Sequence, residues 1–153
     1  MEIDYLDDIN GHDQNIVRLY NFNKSEAILF RDLLKETIIK NKQKLDVSKV
    51  DFIKPRNCNL IFGLFKSDEG ILTKDNETFF CILTLEGFNK MIELIEPFCK
   101  KESKGYQYLY DIDNPIDLMF CPSATYDYCL KEKFKKNLLI NIIIFIRNFA
   151  NEL

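Results

Sequence analysis

Three aspartates stand close together between two apolar runs that are typical of strands, within the stretch 106–122 that reads YQYLYDIDNPIDLMFCP. Carboxylates separated by one residue could bind a metal ion or act as an acid–base pair. With tyrosines beside them they could instead recognise a basic partner, because tyrosines and complementary charges are common at protein interfaces. The candidate binding residues are Asp111, Asp113, Asp117, Tyr108 and Tyr110.

A strand followed by Asp-x-Asp resembles the first motif of the haloacid-dehalogenase-like phosphatases. The resemblance implies that Asp111 attacks phosphorus and Asp113 acts as acid and base, with Mg²⁺ bridging the site. It covers about six residues, and Pro115 stands where that family usually has threonine. That family also begins its α/β core with this motif, whereas here the motif lies late in the chain. The same spacing is similar to the metal motif of nucleotide-sugar glycosyltransferases, whose usual fold needs a longer chain.

Turn chemistry explains the same residues without catalysis. Asp and Asn side chains bond the backbone two residues further on, so both favour turns. Pro115 restricts Asn114 to extended conformations and fixes a bend there. We therefore expect the three aspartates at the exposed tip of a turn between two strands, where they could also serve as a recognition surface.

Other sites for catalysis or cofactors find little support in the sequence. His12 is the single histidine, and it lies in a polar N-terminal stretch, so a Ser-His-Asp or Cys-His machine is not expected. The five cysteines show no CxxC spacing, which favours buried, reduced thiols over a zinc site. The five glycines are scattered and form no phosphate-binding loop. The sequence predicts no cofactor and no metal.

Composition limits the class of partner. The net charge is −3, and 21 basic residues face 24 acidic ones, so no concentrated basic surface for nucleic acid is expected. The longest apolar run, 138–146, is too short to span a bilayer, and the acidic N-terminus does not resemble a targeting peptide. We expect a cytoplasmic protein with a protein partner, without nucleic acid or membrane.

Hydrophobic periodicity predicts a single α+β domain over residues 1–153, with residues 1–14 as a loose acidic leader. The expected element order is β-α-β-β-β-α-β-β-α. These elements predict a mainly antiparallel mixed sheet of about five to six strands with three helices largely on one face. The predicted strands are 16–22, 47–54, 58–65, 78–83, 106–110 and 116–120. The predicted helices are 24–41, one that begins after Thr84 and is ended or kinked near Glu96 by Pro97, and 126–153.

The last predicted helix has apolar residues over most of its circumference. Such a helix is buried on two sides. Its second apolar row could pack against a second copy of the chain, which predicts a homodimer through this helix. The run 138–146 is also compatible with a strand.

The function that fits these features best is a non-catalytic binding or regulatory domain of the immunity or adaptor kind, which recognises a protein through an acidic and aromatic surface. One alternative is a small metal-dependent hydrolase that uses Asp111 and Asp113. Another is a small-molecule-binding domain with a pocket between sheet and helices.

Overall fold

The protein folds from short strands and two principal helices in the residues that its computed structural model describes, which are 1–9, 11 and 14–123. The strands are β1 (Glu2–Ile9), β2 (Gln14–Tyr20), β3 (Leu45–Asp46), β4 (Lys54–Pro55), β5 (Asn59–Leu64), β6 (Gly70–Thr73), β7 (Thr78–Leu83), β8 (Gln107–Tyr108) and β9 (Ile116–Cys121). The helices are α1 (Lys24–Leu34), which continues as a π-helical stretch over Lys35–Lys40, and α2 (Leu85–Lys100). The predicted α+β class is confirmed.

The strands form two mixed sheets. One has the order β4-β1-β2-β9-β8, and the other has the order β3-β5-β7-β6. The pairs β2/β9 and β5/β7 are parallel, whereas β1/β2, β6/β7 and β8/β9 are antiparallel. The prediction of a single sheet was therefore wrong, because the strands form two sheets, and both are mixed. Turn residues reveal hairpins between consecutive strands, but they carry no signal for parallel pairing between strands far apart in the chain.

The predicted hairpin between 47–54 and 58–65 was also wrong. Val47–Lys49 forms one turn of 3₁₀ helix, and the Ser48 hydroxyl accepts a hydrogen bond from the Leu60 N–H at 2.7 Å. The short strand β4 instead pairs with β1. A buried Val47 and a hydroxyl that satisfies a strand N–H thus outweigh the β propensity of this run.

The N-terminal segment is a strand over residues 2–9, which corrects the prediction of a loose leader. Strand β1 pairs with β2, and Ile3 is fully buried. Asp4 accepts two hydrogen bonds from the Arg18 guanidinium, at 2.8 and 2.6 Å. The acids that suggest a solvated tail are thus partly explained by a buried ion pair between neighbouring strands. His12 lies outside the described residues.

Helix α1 begins with a capping box, as the spacing of Asn23 and Glu26 in the sequence predicts. The Asn23 side chain accepts from the Glu26 N–H at 2.9 Å, and the Glu26 carboxylate accepts from the Asn23 N–H at 3.1 Å. These bonds satisfy donors that the first helical turn leaves without partners. The buried face of the helix consists of Ala27, Phe30 and Leu34.

Helix α2 begins at the predicted cap, where the Thr84 hydroxyl accepts from the Gly87 N–H at 3.0 Å. Pro97 was expected to end or kink the helix near Glu96, and the helix does not end there, because it continues to Lys100. Proline removes one hydrogen-bond donor. The burial of Phe98 and Cys99 just beyond it favours the helical path to the core.

Both helices and one face of each sheet share a single hydrophobic core. Phe120 of β9 lies at its centre, stacked on Phe22 with ring centroids 4.0 Å apart and edge-on to Phe98 at 5.2 Å. Aromatic contacts of this kind add to the stabilisation from burial. The two sheets and the two helices are therefore packed as one unit.

The cysteines are mostly as predicted. Cys58, Cys81 and Cys99 are buried free thiols, and burial raises the pKa of each. Cys121, also buried, is disulfide-bonded, which was not predicted.

None of the helices in the described part of the chain is both long and apolar enough to cross a membrane. The predicted C-terminal helix, and with it the predicted dimer contact, lies outside the described residues.

Candidate functional site

A cleft of about 490 Å³ opens between helix α2 and the segment 109–112. Its apolar lining comes from Leu83, Leu94, Leu109 and Ile112. Its charged lining comes from Asp68, Lys90, Glu93 and Asp111, and Gly87 and Tyr110 complete it. We call this feature the acidic cleft.

Asp68 is fixed in the acidic cleft by the start of helix α2. Its carboxylate accepts the Thr84 N–H at 2.6 Å, where the helix dipole favours negative charge. A Cβ atom on Gly87 would lie only 2.5 Å from this carboxylate oxygen. Glycine at position 87 therefore allows the carboxylate to approach the first helical turn.

Lys90 is the cation of the acidic cleft, and acids of the chain itself surround it. Its ammonium lies 2.9 Å from the Glu86 carboxylate, one helical turn earlier. The hydrogen bond to Glu86 raises the pKa of Lys90, and the charges of Glu86, Asp68 and Glu93 act in the same direction. The positive charge of Lys90 is thus already offset by Glu86, which leaves the other carboxylates of the cleft in excess.

The segment 109–112, which contains Asp111, is held in place by Tyr110. The Tyr110 hydroxyl donates to the Ile116 carbonyl and accepts from the Ile71 N–H at 3.2 Å. Strands β6 and β9 therefore meet through this side chain, although they belong to different sheets. Burial raises the pKa of Tyr110 far above its usual value, so its hydroxyl keeps its proton at neutral pH.

Asn114 anchors the same segment from its other end. Its amide donates to the carbonyls of Glu69 and Ile71, at 2.8 and 3.1 Å, and its carbonyl accepts from the Ile116 N–H at 2.8 Å. Gly70 has φ +76°, and a Cβ atom there would lie 2.8 Å from the Asn114 amide. Tyr110 and Asn114 together join the two sheets and fix the position of Asp111.

The structure separates the three predicted aspartates. Asp111 lines the acidic cleft beside α2, and Asp113 is exposed two residues away without lining it. Asp117 lies on the opposite side of β9, because its neighbours Ile116 and Leu118 face the core that contains α2. The Gln14 amide donates to Asp117 at 3.4 Å. The aspartates therefore do not converge on one point.

The two predicted tyrosines also have different surroundings. Tyr110 belongs to the junction between the sheets, as described above. Tyr108 packs beside the small apolar cluster on the other side of β9. Burial, with a contribution from the charge of Asp117, raises the pKa of Tyr108 to about 12. Both tyrosines, which were predicted as binding residues, are thus half-buried.

Metal binding finds no support in the described residues. No group of three or more His, Cys, Asp and Glu side chains among them is arranged to hold an ion. The residues that line the acidic cleft include no Ser, Thr, Cys or His, and its side chains that could act chemically are those of Asp68, Lys90, Glu93, Tyr110 and Asp111. The acidic cleft thus combines carboxylates with apolar side chains in one lining.

The sequence did not indicate Asp68, Lys90 or Glu93 as site residues. They come from a loop and a helix that precede Asp111 by many residues, so no spacing connects them. One local signal existed, because glycine inside the first turn of a helix is costly and marks a close neighbour. Gly87 could thus have predicted a close approach, although it could not have identified Asp68.

No protein-family model matches the chain, and no curated protein is significantly similar to it in sequence. The chemistry of the site therefore rests on its geometry.

Proposed function

We propose that the chain is a non-catalytic binding domain that recognises a protein partner by receiving a basic side chain of that partner in the acidic cleft. The observation that supports this most directly is the position of Asp68, Glu93 and Asp111 around one cleft that also has an apolar lining. These carboxylates come from three separate segments of the chain.

Charge favours a cationic guest. The acidic cleft contains three carboxylates and one ammonium, and Glu86 already pairs with that ammonium. The remaining negative charge attracts a basic group and rejects an acidic one, since like charges brought together at an interface are costly. The overall charge of −3 acts in the same direction at long range.

The apolar lining favours a long basic side chain over a bare cation. Lys and Arg bury their aliphatic stems against apolar surface while the charged end stays among polar groups. Leu94, Leu109 and Ile112 supply such a surface in the same cleft as the carboxylates. The volume of about 490 Å³ lies within the usual range of ligand sites.

That volume also accommodates a small organic cation, which is the second candidate. It would use the same carboxylates and the same apolar lining. The two candidates differ in whether flanking peptide groups add to the affinity.

A direct test measures the binding of a fluorescent Arg-Leu-Arg peptide by anisotropy. Wild type should bind it more tightly than a matched peptide with glutamine in place of arginine, and affinity should fall as salt rises because exposed charges are screened. Asp111→Lys should weaken binding by about tenfold or more. Asp113→Lys is the matched control, because it makes the same charge change two residues away on an exposed carboxylate outside the cleft.

Equal losses in the two variants would reduce the effect to general electrostatics and remove the acidic cleft from the account. Competition by free arginine amide as strongly as by the peptide would favour the small organic cation instead.

A further inference from the structure

The side of the five-stranded sheet that faces away from both helices is buried. It consists of Ile16 and Tyr20 of β2 with Met119 and Cys121 of β9, and we call it the far side. Met119 is 1% exposed and Cys121 is fully buried. In the described part of the chain, the side chains packed in this cluster come from strands β1, β2 and β9 and from residues 106–108. The buried residues of α1 and α2 belong to the other core.

The ion pair between Asp4 and Arg18 also lies on the far side. Arg18 stands between Ile16 and Tyr20 on β2, and its guanidinium carbon lies 3.9 Å from the centre of the Tyr20 ring. The exposed fractions of the Arg18 and Asp4 side chains are only 6% and 11%. Sheets bury a side by packing a further element against it. The burial of both charges and apolar groups therefore indicates a covering element beyond the strands themselves.

The disulfide of Cys121 indicates which part of the chain supplies that element. The Cys121 side chain belongs to the far side, so the sulfur atom bonded to it lies on the far side too. Cys58, Cys81 and Cys99 are free thiols. The remaining cysteine of the chain is Cys129.

The spacing of Cys121 and Cys129 requires the chain to turn back after β9. The Cα atoms of a disulfide lie about 5.5–6 Å apart. An extended chain from residue 121 to residue 129 would span about 26 Å. Residues 130–153 continue from there and would measure about 36 Å as the predicted helix, whereas β9 is about 20 Å long. The segment is therefore long enough to cross the sheet.

We propose that residues 124–153 of this chain cover the far side, and that a disulfide between Cys121 and Cys129 fastens the start of this segment to β9. The apolar residues of the predicted helix supply the surface against which Ile16 and Met119 are buried. The acidic cleft lies on the other side of β9, between α2 and the segment 109–112. The cover thus leaves the cleft open, and it does not depend on the proposed function.

Peptide mapping without reductant tests the fastening. A protease that cleaves before aspartate separates the two cysteines, because Asp127 lies between them. The full chain, as a monomer of 18.1 kDa, should yield a Cys121 peptide linked to a Cys129 peptide. Addition of a dithiol reductant should separate the two peptides. A link between two chains, or recovery of Cys121 as a free thiol, would overturn the proposal.

Nuclear Overhauser contacts test the cover in the same protein. The methyl group of Met119 should show cross-peaks to side chains of residues 130–153. The methyl groups of Leu72, on the exposed side of the four-stranded sheet, are the matched control and should show none. In a mixture of labelled and unlabelled chains, the Met119 cross-peaks should stay within one chain. Cross-peaks to strand residues alone, or between chains, would contradict the cover.

Thiol labelling measures the cover in variants. In a Cys129→Ser background, Leu138→Asp with Ile142→Asp places charges in one predicted apolar row. Maleimide should then react with Cys121 roughly tenfold faster or more, because thiol reactivity depends on access. Cys81, fully buried in the shared core, is the internal control for unfolding and should stay slow. An unchanged rate at Cys121, or an equal rise at Cys81, would count against the proposal.

Discussion

The sides of the two sheets that face away from the shared core differ sharply. In the five-stranded sheet, Met119 and Cys121 of β9 are fully buried on that side. In the four-stranded sheet, Phe80 and Leu72 are exposed on the corresponding side. Yet β7 and β9 both have apolar residues on both sides of the strand. The strand sequences of β7 and β9 are therefore alike, and what differs is exposure, which is greater on the outward side of the four-stranded sheet.

The largest effect should come from the buried ion pair on the covered side. Arg18→Met should lower the free energy of unfolding by about 3–5 kcal/mol, because it leaves the Asp4 carboxylate buried without its partner. Denaturant unfolding measures this. Lys40→Met is the control, since the Lys40–Glu36 pair is exposed to solvent and should contribute little to stability.

The double variant Asp4→Leu with Arg18→Met should regain most of the lost stability, because no charge then remains buried without a partner. A small loss in Arg18→Met alone would show that this side of the sheet is open to water.

Two truncations compare the sides directly. Met119→Ala should cost about 2–5 kcal/mol, as expected for a buried side chain. Leu72→Ala should cost less than about 1 kcal/mol, because much of this side chain is already in water. Thermal unfolding at low protein concentration keeps the contribution of association small. Similar losses in both variants would contradict the contrast between the sides.

A change at the junction between the two sheets should have an intermediate effect on stability. Tyr110→Phe removes the hydroxyl that bonds Ile71 and Ile116, and should cost about 1–3 kcal/mol because buried backbone groups lose their partner. Hydrogen exchange should show the Ile71 amide losing protection. Tyr106→Phe serves as the control on a tyrosine outside this junction. Unchanged exchange at Ile71 would show that the sheets are joined in another way.

The smallest expected effect is a dependence of stability on pH. Burial raises the pKa of Tyr108 to about 12, against about 10 for tyrosine in an unfolded chain. The folded state thus favours the protonated phenol, so this contribution to stability is complete below pH 10 and is lost as pH rises from 10 towards 12. Denaturant unfolding of wild type and Tyr108→Phe should differ in slope only in this window. Parallel profiles would show that the Tyr108 side chain is open to water.

Local features could be predicted from the sequence where a local mechanism determines them. The capping box at Asn23, the cap at Thr84 and strand β7 follow from side chains within a few residues of each other. Parallel pairing of β2 with β9 could not be predicted. It depends on the core that both strands share, and the residues between them contain no pattern that indicates it. Strand β1 was also missed, because its acidic residues are typical of a solvated terminus. Arg18, which pairs with the buried Asp4, lies on another strand.

The candidate site was predicted only in part, for the same reason. Asp111 belongs to the acidic cleft, whereas Asp113 and Asp117 do not. The bend at Pro115 suggested one shared tip, but the alternation of β9 directs Asp117 to the opposite side. The remaining charges of the cleft come from other segments, and only tertiary packing brings them to Asp111.

The measurement that tests the central claim most directly is a titration of the isotope-labelled protein with the Arg-Leu-Arg peptide, followed by nuclear magnetic resonance. We expect the chemical shifts of Gly87, Leu94, Leu109 and Ile112 to move with a single saturable binding curve, while those of Phe80 stay unchanged. The glutamine peptide should move none of them. Shifts centred on the exposed side of the four-stranded sheet, or spread over the whole surface without saturation, would contradict recognition of basic side chains by the acidic cleft.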